Sequence, residues 1–220
     1  MNFLTSLVIC NNCPPPTALT TIPENECLEN IGQIQRYLFV REGEVIWDIV
    51  APANNVPVSI VGDDVVDVAG WNTLIAAIDA TKVVKTPLVG GDTTITAGTE
   101  LTSGGGDNST LSGVTQSNGI NPSLFTGRFD GLASATVAAM RLLNCEKTEV
   151  YFVNQEGSIY GKLLDDGVSF TGFPVLKFFL APKANNGFGT RDSNVMTFEV
   201  QADYDEYLYK ITPTFNILTF

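Results

Sequence analysis

Period-two alternation runs through most of this chain and restricts it to antiparallel β architecture. Val195–Ala202 sets the pattern, with Met196, Phe198, Val200 and Ala202 phased toward a core and Thr197, Glu199 and Gln201 phased toward solvent. Gln33–Arg41 alternates as well, placing Ile34, Leu38 and Val40 on one face and Tyr37 and Phe39 on the other, with Arg36 interrupting the apolar side. Residues 86–127 interleave threonine with small apolar residues and frequent glycine, as in Thr93-Thr94-Ile95-Thr96, which reads as strands and long hairpins. Gly104-Gly105-Gly106-Asp107-Asn108 is the expected tip between two of them.

Other segments extend the β reading. Val45–Val50 is a short strand after a turn at Gly43, and Ala51–Pro57 is a loop. Glu149–Asn154 and Ser158–Leu164 form a hairpin through Gln155-Glu156-Gly157, and Asp165-Asp166-Gly167 makes the next turn. Phe173–Leu180 is apolar on both faces, which predicts one strand covered on one side by the core and on the other by a helix or a neighbouring subunit. A polar Gly/Asn loop follows over 181–194, and Tyr204, Tyr207 and Tyr209 fall in a loop and a final strand.

Two stretches have helical period instead. Trp71, Leu74, Ile75 and Ile78 recur at i, i+3, i+4 and i+7, with Asp67 or Asn72 available at the start. A second helix begins with Asp130 or Ser134 as cap, runs to about Asn144, and lines up Leu132, Thr136, Ala139, Met140 and Leu143, its alanines allowing close approach to a sheet. The expected fold class is therefore mainly β with two helices (α+β). Residues 1–30, with prolines at 14–16 and 23 and no basic residue, read as an extended N-terminal arm, and 31–220 as a single β-rich domain.

Charge and residue usage narrow the function classes. The 220 residues carry 24 acidic and 12 basic side chains and no histidine, a net charge of -12. Such a field repels phosphate backbones and disfavours stable nucleic-acid binding, while allowing DNA to pass without adhering. Without histidine the commonest general base and metal ligand are missing. A mean hydropathy of +0.14 leans toward an oligomer. The apolar run Phe3 to Ile9 has no preceding Lys or Arg, and Ile9 before Cys10 is too large for ordinary cleavage, so no processed leader is expected, nor is a membrane span.

Candidate chemistry is sparse. Cys10-x-x-Cys13 has the spacing of a zinc half-site with Cys27 and Cys145 as conceivable completions, but no second close pair exists, and reduced thiols are the expectation. The prolines after Cys13 forbid the helix a redox pair needs. Asp63, Asp64 and Asp67 lack a calcium-loop pattern, and Asp63, Asp64, Asp203, Asp205 and Glu206 are the only acids worth considering for glycan chemistry. The Gly-rich tip lacks the lysine of a phosphate-binding loop. No catalytic, cofactor or metal residue is assigned, and an enzyme is not expected.

Several segments, taken in order, resemble virion proteins of tailed phages infecting Bacteroidetes, including crAss-like phages. They are Ile31-Gly32-Gln33-Ile34-Gln35-Arg36, Asp107-Asn108-Ser109-Thr110-Leu111-Ser112-Gly113, Asn121-Pro122-Ser123-Leu124-Phe125-Thr126-Gly127, Met196 to Tyr204, and Thr212-Pro213-Thr214-Phe215-Asn216. The resemblance implies a tail-tube-like ring component, with a β-sandwich or barrel, a flanking helix and a long hairpin. It further implies a homo-oligomeric ring around a DNA passage, adjacent tail or connector proteins as partners, no membrane, and assembly into the virion tail in the host cytoplasm. A capsid decoration or head-to-tail connector protein is the alternative, and a glycan-acting enzyme or binding module a third.

Overall fold

The computed structural model describes residues 30–49, 57–59, 65, 68–106, 115–185 and 187–219. Of the expected arm only Asn30 falls among them, so Cys10, Cys13 and Cys27 lie outside the described residues, as do Asp63, Asp64 and Asp67. In chain order the elements are β1 (Ile34–Arg41), β2 (Trp47–Ile49), β3 (Pro57–Ser59), α1 (Val68–Ala76), β4 (Val84–Lys85), β5 (Thr94–Thr96), β6 (Glu100–Ser103) and β7 (Gln116–Ile120). There follow β8 (Ser123–Asp130), α2 (Ser134–Leu142), β9 (Thr148–Asn154), β10 (Ile159–Leu163), β11 (Ser169–Thr171) and β12 (Phe173–Pro174). β13 (Lys177–Leu180), β14 (Ser193–Val200) and β15 (Leu208–Ile211) complete the set. The fold is mainly β with two helices, and its sheets are antiparallel.

A large sheet runs β3-β2-β11-β10-β9-β1-β4, with β12 also pairing β9 and β15 pairing β10. A smaller sheet runs β13-β14-β8-β5. The two face each other across an aromatic core drawn from both, including Phe39, Phe152 and Phe173 on the large sheet and Phe125, Phe178 and Phe198 on the small one. Within it, Phe173, Phe152, Phe125 and Phe198 form a column of near-parallel rings, with successive centroids 5.4, 4.7 and 5.1 Å apart. Tyr37 meets the Phe198 ring edge-on at 5.2 Å. Aromatic pairs in these geometries add about 0.5–1.5 kcal/mol each beyond their area burial. The opposite face of the large sheet carries a second core, in which Trp71 and Leu74 of α1 pack with Trp47, Tyr151 and Phe170.

Strand phase follows the sequence except where the backbone breaks its period. Ile34 packs with Tyr37 and Phe39, not with Leu38 and Val40 as straight alternation predicts. The cause is a bulge: Ile34 pairs with Asn154 and Arg36 with Val153, so Gln35 is an extra residue that inverts the phase. Phe173–Leu180 is not one strand. The Val175 N–H donates to Thr148 O in the large sheet, and the next N–H, on Leu176, donates to Glu199 O in the small sheet, so the chain changes sheets there. Phe178 and Leu180 reach the core, while Phe179 is 53% exposed and has no covering layer among the described residues.

Both helices also depart from expectation at their ends. α1 stops at Ala76 and leaves Ile78 exposed, because the Val83 N–H returns to Leu74 O and Asp79 Oδ1 takes the Thr81 N–H at 3.0 Å in a local turn. α2 has Ala133 at its N-cap and no side-chain cap; Asp130 accepts instead from Arg128 Nε at 2.8 Å, and Ser134 is the first helical residue. It buries Met140, with Val137 half-buried and the flanking Leu132 and Leu143 packed on the same core, while Ala135, Ala138 and Ala139 face outward rather than onto a sheet.

Phe152, fully buried in the ring column, is the residue whose truncation should cost most. Phe152→Ala is expected to lower unfolding free energy by about 3–5 kcal/mol, whereas Leu142→Ala on the exposed face of α2 should change it by about 0.5 kcal/mol or less. Urea unfolding midpoints of the two variants measure the contrast.

Candidate assembly surface

β5, β6, β7 and β8 are one hairpin. Thr94 pairs with Thr126 and Thr96 with Leu124 inside the small sheet, and Glu100 with Ile120 and Leu101 with Gly119 beyond it, so the register continues without slip across the gap. The outer half, β6 with β7, is a two-stranded sheet that pairs with no other strand among the described residues. Every residue of β7 is exposed, and so are all of β6 except the half-buried Ser103. A bulge after Leu101, where Thr102 pairs with Ser117, adds twist to this ribbon.

The joint between the two halves is tightly built. The Asn121 N–H donates to Thr99 O and its side-chain Nδ2 to Thr99 Oγ1, both at 2.9 Å, and the Gly98 N–H donates to the buried Ser123 Oγ at 3.3 Å. A Cβ on Gly98 would lie 1.7 Å from Asn121 O, so only glycine permits this approach. The far end opens into Gly104, Gly105 and Gly106, all with positive φ. The expected tip residues Asp107 and Asn108 lie outside the described residues.

The ribbon differs from the rest of the surface in charge. Its described residues, 100–106 and 115–120, hold a single ionised group, Glu100, on a chain of net charge -12. Leu101 and Ile120 are 45% and 57% exposed there. An isolated two-stranded ribbon is marginal in water and gains stability when a further surface covers it. Physically, then, it is an element that a neighbour can cover with little like-charge repulsion.

Among the described residues, those considered for chemistry form no common site. Asp203, Asp205 and Glu206 are exposed around a single turn of 3-10 helix, Tyr204–Tyr207. Cys145 is an exposed free thiol. Among the described residues no three His, Cys, Asp or Glu side chains are grouped to hold a metal. A groove of about 310 Å³ beside α2 is lined by Val84, Ala139 and Leu142 with the Arg41–Glu146 ion pair at its edge, but that pair is half exposed and worth little.

One group lies outside the sequence candidates. Glu149, on the central strand β9, is only 5% exposed. Its carboxyl takes the Gly43 N–H at 3.1 Å and meets Thr171 Oγ1 at 2.5 Å, and the Gly172 amide adds a backbone hydrogen bond. Gly172 has to be glycine, since a Cβ there would come within 2.7 Å of Glu149 Cβ. Burial pushes the Glu149 carboxyl above its ordinary range, Glu42 pushes the same way, and the three hydrogen bonds only partly offset them. The Tyr151 hydroxyl is buried beside it, facing the Thr171 hydroxyl, the Trp47 indole N–H and the Gly172 amide. The signal in the sequence is one carboxylate at the head of an otherwise fully buried strand, Thr148–Asn154.

No family model matches the chain. No curated protein matches it. Among solved structures, a chain of the anti-feeding prophage baseplate, from a six-fold symmetrised cryo-EM structure, is similar over 86% of this chain and 99% of its own length, at 8% identity and a TM-score of 0.30. A TM-score that low carries no argument about fold or function.

The joint yields a direct test. Gly98→Ala is expected to leave the two-sheet core intact while speeding amide exchange in Glu100–Ser103 and Gln116–Ile120 by about tenfold or more, equivalent to about 1.4 kcal/mol of local opening. Residue-resolved hydrogen exchange, with β14 as the internal control, reads it.

Proposed function

We propose that this chain is a structural virion protein of a tailed bacteriophage, whose copies associate into rings of the tail tube or tail barrel around the path of the DNA. It works by rigid assembly and performs no reaction. The observation that carries the reading is the overhanging ribbon: a hairpin begun inside the small sheet, stiffened at Gly98 and Asn121, and continued outward with nearly every residue exposed. A lone domain gains nothing from such an overhang, whereas a repeated subunit gains an arm for the next copy. A head-to-tail contact of this sort closes into a ring when its rotation permits.

Two further features support it. The segments that resemble virion proteins of phages infecting Bacteroidetes include Asp107–Gly113, at the expected tip, and Asn121–Gly127, which begins at the joint and enters β8. An excess of 12 acidic over basic side chains, 24 minus 12, suits a surface past which DNA slides without binding. Adjacent tail or connector proteins are the partners this reading implies, and the virion the place.

Deleting Gly104 to Asn108 shortens the ribbon without touching either core. The variant is expected to keep the wild-type circular dichroism spectrum and to lose higher oligomers at concentrations where the wild type forms them, as read by light-scattering mass. Normal assembly of the deletion variant would count against the ribbon as the assembly element.

A further inference from the structure

Two large apolar side chains at β13 serve neither core: Phe179 is 53% exposed, and Leu176, just before the strand, is 57% exposed. β13 is also a sheet edge, and among the described residues it pairs with β14 alone. The Ala181 N–H donates to Val195 O, and the alternation of an antiparallel ladder then turns the peptide groups of Phe179 toward β14 and those of Phe178 and Leu180 toward the open side. Along that edge runs a groove of about 370 Å³, lined by Arg141 and Asn144 at the end of α2 and by Phe178, Phe179, Leu180 and Pro182.

This flank is basic on an acidic chain. No acid lines the groove, and Arg141, exposed in the last turn of α2, has no ion pair among the described residues. Lys177, the first residue of β13, meets Glu199 at 3.5 Å, and Lys183, just past the strand, donates to Leu132 O at 2.8 Å. The ribbon has the complementary character. Glu100 pairs with Ile120 across β6 and β7, so a carboxylate and an exposed apolar side chain share one face, and residues 100–106 and 115–120 hold no cation.

Two strand edges suit the groove, and charge separates them. A second copy's β13 sets Arg141, Lys177 and Lys183 against the same three cations, and like charges across an interface repel. A second copy's ribbon brings Glu100 and Ile120 instead. The ribbon is rooted in β5 and β8, and β5 is the far edge of the sheet that β13 begins. Arm and groove therefore belong to opposite edges of one subunit, as a repeating head-to-tail contact requires.

We propose that the groove between α2 and β13 receives the ribbon of the next copy, with Ile120 against Phe179, Glu100 at Arg141, and an open ribbon edge on the peptide groups of Phe178 and Leu180. The inference rests on the reading of the ribbon as the assembly arm.

A charge-reversal cycle on the full-length protein tests it, with light-scattering mass over a concentration series as the readout and circular dichroism and urea midpoints as the check on folding. Glu100→Arg and Arg141→Glu are each expected to raise the concentration for half-assembly by about tenfold or more, and the double variant to return it to within about threefold of wild type. Phe179→Ala, which touches neither core, should raise it by about fivefold or more with no change in urea midpoint. If Arg141→Glu or Phe179→Ala assembles like wild type while deletion of Gly104 to Asn108 abolishes assembly, the groove is overturned as the acceptor and the ribbon reading stands. A monomeric wild type, or assembly unaffected by that deletion, would remove both. Stronger assembly of Arg141→Glu alone would mean that two β13 edges pair, and a double variant no better than the singles would mean that Glu100 and Arg141 do not meet; either result overturns the proposal.

Discussion

Everything outside the aromatic core depends on the ring column of Phe173, Phe152, Phe125 and Phe198. The first two belong to the large sheet and the last two to the small one, so the column is the direct bond between layers. Its rings are buried completely or nearly so, and each side chain of that size contributes about 1.5–3 kcal/mol through burial alone. Phe125 sits on β8 opposite Ile95 of β5, two residues after Ser123, which receives the Gly98 N–H. The packing that locks the sheets together therefore also holds the root of the projecting ribbon. A loosely seated root would let the ribbon swing; a root in the core fixes its direction.

How much of this was legible in the sequence depended on whether local period and tertiary path agreed. β14 alternates without interruption and lands as the alternation predicts, with Met196, Phe198 and Val200 buried. Within the Thr-rich, Gly-punctuated text of 86–127, Thr94–Ser103 and Gln116–Thr126 do pair as a long hairpin, because threonine suits a strand with one wet face and glycine its joints. Ile34 went astray since a bulge is set by pairing with β9, which period alone does not reveal. The run Phe173–Leu180 read as one strand because apolar residues are needed in both sheets, and nothing local marks the corner at Val175 and Leu176. The α2 cap was misplaced because a nearby arginine claimed Asp130.

The candidate sites divide in the same way. Acids chosen for being clustered in sequence, Asp203, Asp205 and Glu206, are exposed turn residues. The acid with an unusual environment, Glu149, is isolated in sequence and gathers its partners from the turn between β1 and β2 and from the end of β11 only through the crossing of strands in the large sheet. Sequence proximity finds solvated carboxylates, whereas topology creates a buried one. In the ribbon the two kinds of information coincide, because its meaning lies in a local pattern, low charge and glycine joints, that survives folding unchanged.

The proposed role reduces to one spatial statement, that Glu100–Ser103 and Gln116–Ile120 of each copy lie against the next copy. An electron cryomicroscopy reconstruction of the assembled full-length protein measures it most directly. The account predicts a closed ring with those two strands buried at every subunit junction. A ring in which they project into solvent, or a protein that remains monomeric at high concentration, would contradict it.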